Sequence, residues 1–257
     1  MNLAFLTLSS AYVKGGPLKV LSPVIESFEL IEYPREGIKE GHVRQPLIGF
    51  MLGRSFIAPR VLLKRMNFKA ASSPQLIKRE RVLSEDASNL ANVLHTVYME
   101  RGEVPGRVRA ALSAVFGEDV AVKPELTEDG RVYIKVLERG FELKPPMVAD
   151  GLWRLLAIML AVEARPALLL IDELENSLHP EAIEYVVSEL RDSGCVVIAA
   201  THSPVVVDAA RPEELVLVEK DEEGATKVRR VKSPKAVKRW MAKHGITLSE
   251  GWLYGRL

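Results

Sequence analysis

The C-terminal part of the chain carries the clearest pattern of apolar and polar positions. Gly151–Ala164 is apolar on nearly every side, which predicts a buried helix. Ala167–Ile171 is a continuous apolar run, typical of a strand inside a parallel sheet. Pro180–Asp192 has helical spacing with a proline in its first turn, and Cys195–Ala200 reads as a second buried strand. The two strands and the helix between them predict a β-α-β unit.

Patterns in the N-terminal part are shorter and mixed. One predicted helix, which Ser84 can cap, has four apolar residues on one face: Leu90, Val93, Leu94 and Val97. A second helical pattern ends at Gly117. Two strands joined at Glu128–Gly130 have the signature of a hairpin. Residues 1–60 resemble short strands separated by turns.

The end of the chain predicts a hairpin of strands Leu215–Glu219 and Thr226–Val231, followed by a helix over Ser233–His244. The predicted fold class is α/β. A mainly parallel sheet flanked by helices occupies residues 146–257, and a mixed, partly antiparallel portion occupies residues 1–145.

Composition excludes several classes of protein. Of the 257 residues, 47% are apolar and 27% are charged, which is ordinary for a folded chain and excludes global disorder. No apolar run approaches the ~20 residues that cross a membrane, and the first residues lack the features of a secretion signal. A lone cysteine, Cys195, excludes an internal disulfide framework. We therefore expect a cytoplasmic protein without membrane partners.

Polar residues follow both predicted parallel strands, where ligands of open sheets bind. Asp172 and Glu173 follow the first strand, and Thr201 and His202 follow the second. Asp172 is suited to hold Mg²⁺, and Glu173 to polarise a water that attacks a phosphate. His202 can donate a hydrogen bond to a phosphoryl oxygen. Adjacent acidic residues also occur at ordinary solvated strand ends, so this pattern alone does not decide the function.

Three longer segments carry a resemblance to known proteins: MVADGLWRLLAIMLAV, LLLIDELENSLHP and CVVIAATHSPVVVDA. Their order and spacing resemble those of ABC-type ATPase heads. More narrowly, residues 55–257 resemble the AAA-type ATPases related to the overcoming-lysogenization-defect and SMC-like DNA-repair proteins, including LSEDASNLANVL upstream and GWLYG near the end. The resemblance implies a P-loop NTPase-like fold, ATP and Mg²⁺ as cofactors, and ATP binding and hydrolysis at a dimer interface.

The resemblance also assigns roles to individual residues. Asp172 matches the Walker B aspartate that organises Mg²⁺, Glu173 the catalytic glutamate, and His202 the switch histidine. The D-loop, which lies at the dimer interface in that family, corresponds to Glu175 to His179. The signature motif, which contacts nucleotide bound by the opposite subunit, corresponds to Asp150, Gly151 and Arg154.

The chain departs from that family at the phosphate-binding loop. A Walker A loop has the pattern G-x-x-x-x-G-K-[ST], because backbone N–H groups cradle the phosphates and the lysine neutralises them. None of the 17 glycines is followed by lysine, and the nearest glycine-rich piece, KGGPLKVLS, contains a proline that removes one N–H donor. In addition, Ala149 stands where the signature usually has serine, and Leu174 where the family commonly has proline.

Three explanations of the missing loop remain open. The chain is the C-terminal part of a split or truncated ATPase whose N-terminal lobe lies on another polypeptide. As partner we expect a second copy in a homodimer, or a Walker A-bearing chain in a heterodimer. Alternatively, it is a non-catalytic scaffold or DNA-binding subunit that kept the fold for dimerisation. In the third, an unorthodox loop in residues 1–60 binds nucleotide. We expect the chain alone to bind Mg-ATP poorly.

Two basic segments make DNA a possible partner, although the net charge is only +1. Arg60–Arg81 contains a single acid, Glu80. The segment from Lys227 to Lys243 contains no acid and eight basic residues: Lys227, Arg229, Arg230, Lys232, Lys235, Lys238, Arg239 and Lys243. The alternative is a solvated helix face. The spacing of Trp240 predicts packing rather than base stacking.

Overall fold

The computed structural model describes residues 3–8, 60–220, 222–223 and 225–257. These residues form two compact units. The central unit comprises residues 60–199, and the terminal unit comprises Leu3–Leu8 and residues from 200 to the C-terminus. The short strands predicted between residues 9 and 59, and the glycine-rich piece KGGPLKVLS, lie outside the described residues.

The strands of the described residues are β1 (Leu3–Leu8), β2 (Arg60–Leu63), β3 (Gln75–Leu76), β4 (Val120–Leu126), β5 (Arg131–Glu138), β6 (Phe141–Leu143), β7 (Leu168–Ile171), β8 (Val196–Thr201), β9 (Leu215–Lys220) and β10 (Thr226–Arg230). The α-helices are α1 (Phe68–Ala71), α2 (Leu90–Arg101), α3 (Gly106–Phe116), α4 (Asp150–Glu163), α5 (Pro180–Arg191), α6 (Pro204–Ala209), α7 (Pro234–His244) and α8 (Leu248–Leu253).

The parallel strands of the central unit confirm the predicted β-α-β unit. β2 pairs with β7, and β7 pairs with β8, so that Leu63 lies beside Ile171 and Ile171 beside Ala199. Every residue of β7 is buried, as expected for a strand with neighbours on both sides. Helix α5 connects β7 to β8 and buries an apolar stripe at helical spacing: Ala182, Ile183, Val186, Val187 and Leu190. This arrangement confirms the α/β fold class.

Helix α4 supplies much of the core of the central unit. Every residue from Leu152 to Val162 is buried, as the all-round apolar pattern predicts. Each fully buried leucine or isoleucine side chain stabilises the fold by roughly 1.5–3 kcal/mol through removal of apolar surface from water. The helix packs against α3 and α5.

A separate antiparallel sheet confirms the mixed N-terminal portion. Its strand order is β3-β5-β4, and β6 also pairs with β5. The turn between β4 and β5 lies where the hairpin pattern predicts it: the Thr127 N–H donates to the Arg131 carbonyl at 2.8 Å. Gly130 closes the turn with a φ of 75°, a conformation that glycine adopts without steric cost.

The predicted capping role of Ser84 is wrong. Helix α2 begins at Leu90, with Asn89 in the N-cap position. The Ser84 hydroxyl instead donates to Asp86 at 3.0 Å and contacts Asn89 at 3.1 Å, which stabilises a turn before the helix. Ala87 within that turn has a left-handed φ of 52°, so the segment cannot continue the helix. Gly117 ends α3, as predicted.

The terminal unit confirms the predicted hairpin and closing helix. β1 runs parallel to β9, and β9 pairs with β10 in antiparallel register. Helix α8 is an additional element, and its start is fixed by reciprocal hydrogen bonds between Thr247 and Glu250. Ser249 donates to Asp208 through both its backbone N–H and its hydroxyl, each at 2.8 Å, which connects α8 to α6. Among the described residues no helix is long and apolar enough to cross a membrane.

Candidate functional site

Asp172 and Glu173 lie where β7 ends, beside the end of β2. The Asp172 N–H donates to the Leu63 carbonyl at 2.8 Å, so the parallel pairing continues up to this residue. Asp172 is half-buried and Glu173 is exposed. Glu173 has a φ of 47°, a left-handed conformation that is uncommon for a residue with a side chain. Such backbone strain persists where the surroundings enforce it, and it is frequent at functional sites.

The electrostatics around Asp172 favour its neutral form. Burial raises the pKa of the Asp172 carboxyl above its ordinary value, and the negative charge of Glu173 raises it further. A backbone hydrogen bond from Glu173 and the positive charge of Arg154 oppose this shift only in part. A cation bound at this carboxylate would therefore stabilise its charged form, which burial and the charge of Glu173 disfavour.

Arg154 holds the ends of β2 and β7 from inside the core. Its side chain is 1% exposed. Its Nη1 donates to the Lys64 carbonyl at 3.1 Å, and its Nη2 donates to the carbonyls of Asp172 at 2.8 Å and Glu173 at 3.1 Å. Burial lowers the pKa of Arg154 to about 10, against the attraction of the neighbouring carboxylates. The guanidinium thus stays protonated at neutral pH and fixes the backbone that carries both carboxylates.

The segment after Glu173 is a tight loop with its own hydrogen bonds. The Asn176 N–H donates to the Glu173 carbonyl at 2.9 Å, and the Leu178 N–H donates to the Glu175 carbonyl at 3.0 Å. Leu174 is completely buried and anchors the loop in the core. Ser177 has a left-handed φ of 63°. The exposed His179 is the N-cap of α5, and Glu175 is half-buried.

Gly151 brings the start of α4 against this loop. A Cβ added to Gly151 would lie 2.6 Å from the Ser177 carbonyl oxygen, a separation that side-chain carbons do not adopt. Only glycine therefore permits this approach. Asp150 precedes it as an exposed acid in the first turn of α4. The structure thus brings the segment predicted as signature motif into contact with the segment predicted as D-loop, within one unit.

His202 follows β8 and belongs to the terminal unit. Its side chain is exposed. The turn that contains it is held by the Ser203 N–H, which donates to the Thr201 hydroxyl at 3.0 Å. The role of His202 as a phosphate sensor stays a prediction.

The sequence analysis does not predict strand β2, nor any role for Lys64, the residue that follows it. The Lys64 carbonyl accepts from Arg154, and its ammonium group pairs with Glu85. The signal in the sequence is weak, because only Val61, Leu62 and Leu63 form the apolar run before Lys64. Three residues are too few to distinguish a buried strand from a loop.

The donor set fits a magnesium ion that is shared with a phosphate. Among the residues that the structure describes, no group of three or more His, Cys, Asp or Glu could hold a metal. Mg²⁺ needs no such group, because proteins often bind it through one or two carboxylates together with phosphate oxygens and waters. The raised pKa of the half-buried Asp172 carboxyl is consistent with such a ligand.

Comparison with known proteins gives one family match. The model of the family described as "AAA domain, putative AbiEii toxin, Type IV TA system" matches residues 53–208. This range contains all the candidate site residues from Asp150 to His202. No curated protein sequence matches the chain.

Several solved structures are similar in part. An Smc head bound to the C-winged helix domain of ScpA has a TM-score of 0.41 and 18% identity, over 51% of this chain and 44% of that chain. The Smc head domain of Pyrococcus yayanosii, with a coiled coil and joint, has a TM-score of 0.40 and 15% identity, over 55% and 29%. A structure described under ATP-driven dimerization and DNA-stimulated activation of SMC ATPases has a TM-score of 0.42 and 17% identity, over 54% and 89%. The chain thus covers less than half of the first two proteins.

Proposed function

The chain belongs to the family of AAA domains described as putative AbiEii toxins of type IV TA systems, and from this membership we propose that it is an ATPase head module. In this proposal it acts at a dimer interface, in the lineage of the ABC-type, SMC-like and overcoming-lysogenization-defect ATPases. The observation that carries the proposal is the clamp of Arg154 on the carbonyls of Asp172 and Glu173. A buried guanidinium that fixes two adjacent acidic residues is an expensive arrangement for an ordinary strand end.

Asp172 is the proposed magnesium ligand. Asp172 follows a strand that is paired on both sides, so the sheet holds the backbone that carries its carboxylate. Bound Mg-ATP would supply the γ-phosphoryl group whose transfer to water is the reaction. The raised pKa of the Asp172 carboxyl means that ionisation and cation binding are coupled at this residue.

Glu173 is the proposed general base. It is exposed, one residue beyond Asp172, and its left-handed backbone departs from the direction of the strand. It would accept a proton from the attacking water while the backbone beneath it is held by Arg154. In this account Arg154 is a positioning residue, because it contacts the backbone of Glu173 within its own chain.

The remaining residues are assigned to the neighbourhood of a second head. Asp150 and Gly151 begin α4, and Glu175 and His179 bracket the loop that packs against it. We assign Asp150 and Gly151 to the side that faces nucleotide on the partner, and the loop to the dimer interface. Arg154, predicted to face that nucleotide as well, is instead buried and acts within its own chain. His202 is assigned to sensing of the γ-phosphate.

The phosphate loop is assigned to another chain. The 257 residues contain no G-x-x-x-x-G-K-[ST] pattern, so a partner that bears a Walker A loop would complete the site. The partner is then a different polypeptide, because a second copy of this chain carries no such pattern either.

A non-catalytic scaffold is the second candidate. It is favoured by the absence of the Walker A pattern and by Ala149, which provides no hydroxyl at the N-cap of α4. In that case the Arg154 clamp maintains a surface for dimerisation or DNA binding, and neither carboxylate takes part in a reaction.

Titration calorimetry with Mg-ATP tests the assignment. We expect the full chain alone to bind more weakly than about 1 mM, and the complex recovered through a tag on this chain to bind near 1 μM, about 4 kcal/mol more tightly. Asp172→Asn in that complex is expected to remove the magnesium-dependent part of the affinity. Micromolar binding by the chain alone would contradict a loop on another polypeptide. A complex that does not bind Mg-ATP would favour the scaffold.

A further inference from the structure

One stripe of helix α7 carries only positive charges. Lys235, Arg239 and Lys243 recur every four residues on one side of the helix, and Lys232 lies two residues before its first residue. All four side chains are exposed. Eight residues of helix span about 12 Å, so the three helical cations form a line of that length. We call these four residues the basic stripe.

The basic stripe differs from its basic neighbours in its ion pairs. Lys238 pairs with Glu213 at 3.1 Å, and Arg229 pairs with Glu219 at 2.9 Å. Within the described part of the chain, no ion pair joins a member of the basic stripe to a carboxylate. Its charges are therefore not neutralised by the described residues of its own fold.

The arrangement is unfavourable for much of the helix, although the helix dipole favours Lys243 in the last turn. Like charges four residues apart repel, and the basic stripe contains two such pairs. The first turn of α7 contains no acid, although the positive end of the helix dipole favours one there and disfavours Lys235. An external array of negative charges would reverse both effects.

The opposite side of α7 fixes the stripe in place. Val237, Trp240 and Met241 are half-buried on that side. The Trp240 ring packs against Gly251 of α8, since a Cβ on Gly251 would lie 3.3 Å from the ring, which confirms the predicted packing role of this residue. Gly245 ends the helix with a left-handed φ of 65°. The cations are thus presented on a helix whose rotation is fixed.

We propose that the basic stripe binds the phosphate backbone of a double-stranded nucleic acid. A duplex is favoured over a single strand because the aromatic ring of α7 packs inward, so it is not available for stacking on bases. A membrane surface is disfavoured because Val237, Trp240 and Met241, the apolar side of α7, are half-buried against their own unit and offer little apolar surface to insert between lipids. Neutralisation of phosphates by Lys and Arg requires no particular sequence.

The salt dependence of duplex binding tests the proposal. Four phosphate contacts give a slope of log K against log salt of about −3.6, so affinity falls about 100-fold between about 50 and 200 mM salt. The triple variant Lys235→Gln, Arg239→Gln and Lys243→Gln leaves one contact, and its affinity falls only about 3-fold over that range. Fluorescence anisotropy with short DNA and RNA duplexes of one sequence measures both. Tighter binding of one duplex supports the proposal and shows whether DNA or RNA supplies the phosphate backbone.

A matched control removes three exposed cations from the central unit. Arg139→Gln, Lys144→Gln and Arg165→Gln lie outside both basic segments and lower the net charge by the same amount, so we expect the wild-type slope and affinity. An identical slope in the stripe variant and the wild type would overturn the proposal. So would equal binding to phosphatidylserine vesicles and to the duplexes, because a membrane would then be the partner. Circular dichroism verifies that both variants remain folded.

Discussion

The loop from Asp172 to His179 and the basic stripe of α7 both concentrate charge, but the fold supports them differently. In the loop, the backbone is fixed by a buried guanidinium and by left-handed residues. The basic stripe consists of exposed side chains on a helix that needs none of them for packing. The first arrangement determines where individual atoms lie, whereas the second determines only the charge density of a surface.

This difference has a consequence for substitutions. Chemistry at a phosphate requires groups held to a fraction of an ångström, and such precision depends on buried donors and close packing. Binding of a polyanion requires only charge within reach of the phosphates. Changes in the support of the loop should therefore cost stability, and changes in the basic stripe should not.

Replacement of Arg154 should have the largest effect. Arg154→Ala removes the side-chain donor to the carbonyls of Lys64 and Asp172 and one of the two donors to the Glu173 carbonyl, and it opens a cavity in the core. We expect a loss of about 3–5 kcal/mol in the free energy of unfolding, measured by urea denaturation. Arg154→Lys retains the charge but not the forked geometry. Its free energy of unfolding should therefore lie between those of the wild type and Arg154→Ala. A loss below about 1 kcal/mol would mean that the clamp is not structural.

A methyl group at position 151 should have the second-largest effect on the free energy of unfolding. Gly151→Ala places its Cβ 2.6 Å from the Ser177 carbonyl oxygen, so the start of α4 or the loop must move. The expected cost in unfolding free energy is about 1–3 kcal/mol. Gly106→Ala is the matched control, because the space at the start of α3 is open to a Cβ. There the reduced flexibility of the unfolded chain should stabilise the protein by up to about 1 kcal/mol.

The pH dependence of stability should identify Asp172. Because its pKa is raised in the folded protein, the folded state holds this proton more tightly than the unfolded chain. The stabilisation by that proton is complete below the ordinary carboxyl pKa and is lost as the pH rises through the raised value. Asp172→Asn cannot ionise, so its melting temperature should exceed that of the wild type increasingly from acidic to neutral pH.

Asp129 provides a control of opposite sign. A hydrogen bond from Thr127 and the charge of Arg131 lower the pKa of the Asp129 carboxyl. Its stabilising effect is therefore present above the ordinary pKa and lost as the pH falls, so Asp129→Asn should be less stable than the wild type at neutral pH. An equal response of the two variants to pH would contradict the assignment at Asp172.

The basic stripe should show the smallest effect on stability. Replacement of Lys235, Arg239 and Lys243 by glutamine removes no ion pair among the described residues and no buried contact. We expect the free energy of unfolding to change by less than about 0.5 kcal/mol. A larger loss in urea denaturation would show that the stripe supports the fold, and the contrast with the loop would disappear.

The sequence predicts the parts of this molecule that depend on local patterns. The apolar patterns of β7, α5 and β8 give the β-α-β unit, and the adjacent acids mark the end of β7. Local patterns cannot predict the Arg154 clamp, because Arg154 donates to the carbonyl of Lys64, which lies 90 positions away in the chain. The left-handed backbone of Glu173 also has no signal, since no glycine or asparagine occupies that position.

Ser84 illustrates a different cause of error. A serine before an apolar helical run usually caps the helix. Here the side chains of Asp86 and Asn89 form hydrogen bonds with Ser84 and hold it in a turn before the helix. The competing turn depends on several short polar side chains together, which a single capping pattern does not represent.

ATP hydrolysis by the assembled complex tests the central claim most directly. The complex is recovered through a tag on this chain, carrying the wild-type residue, Glu173→Gln, or Glu184→Gln as a control on the exposed side of α5. If Glu173 is the general base, Glu173→Gln should lower kcat by about 100-fold or more while the complex stays intact, and Glu184→Gln should not change it. Equal turnover in all three complexes would contradict a catalytic role for the carboxylates after β7.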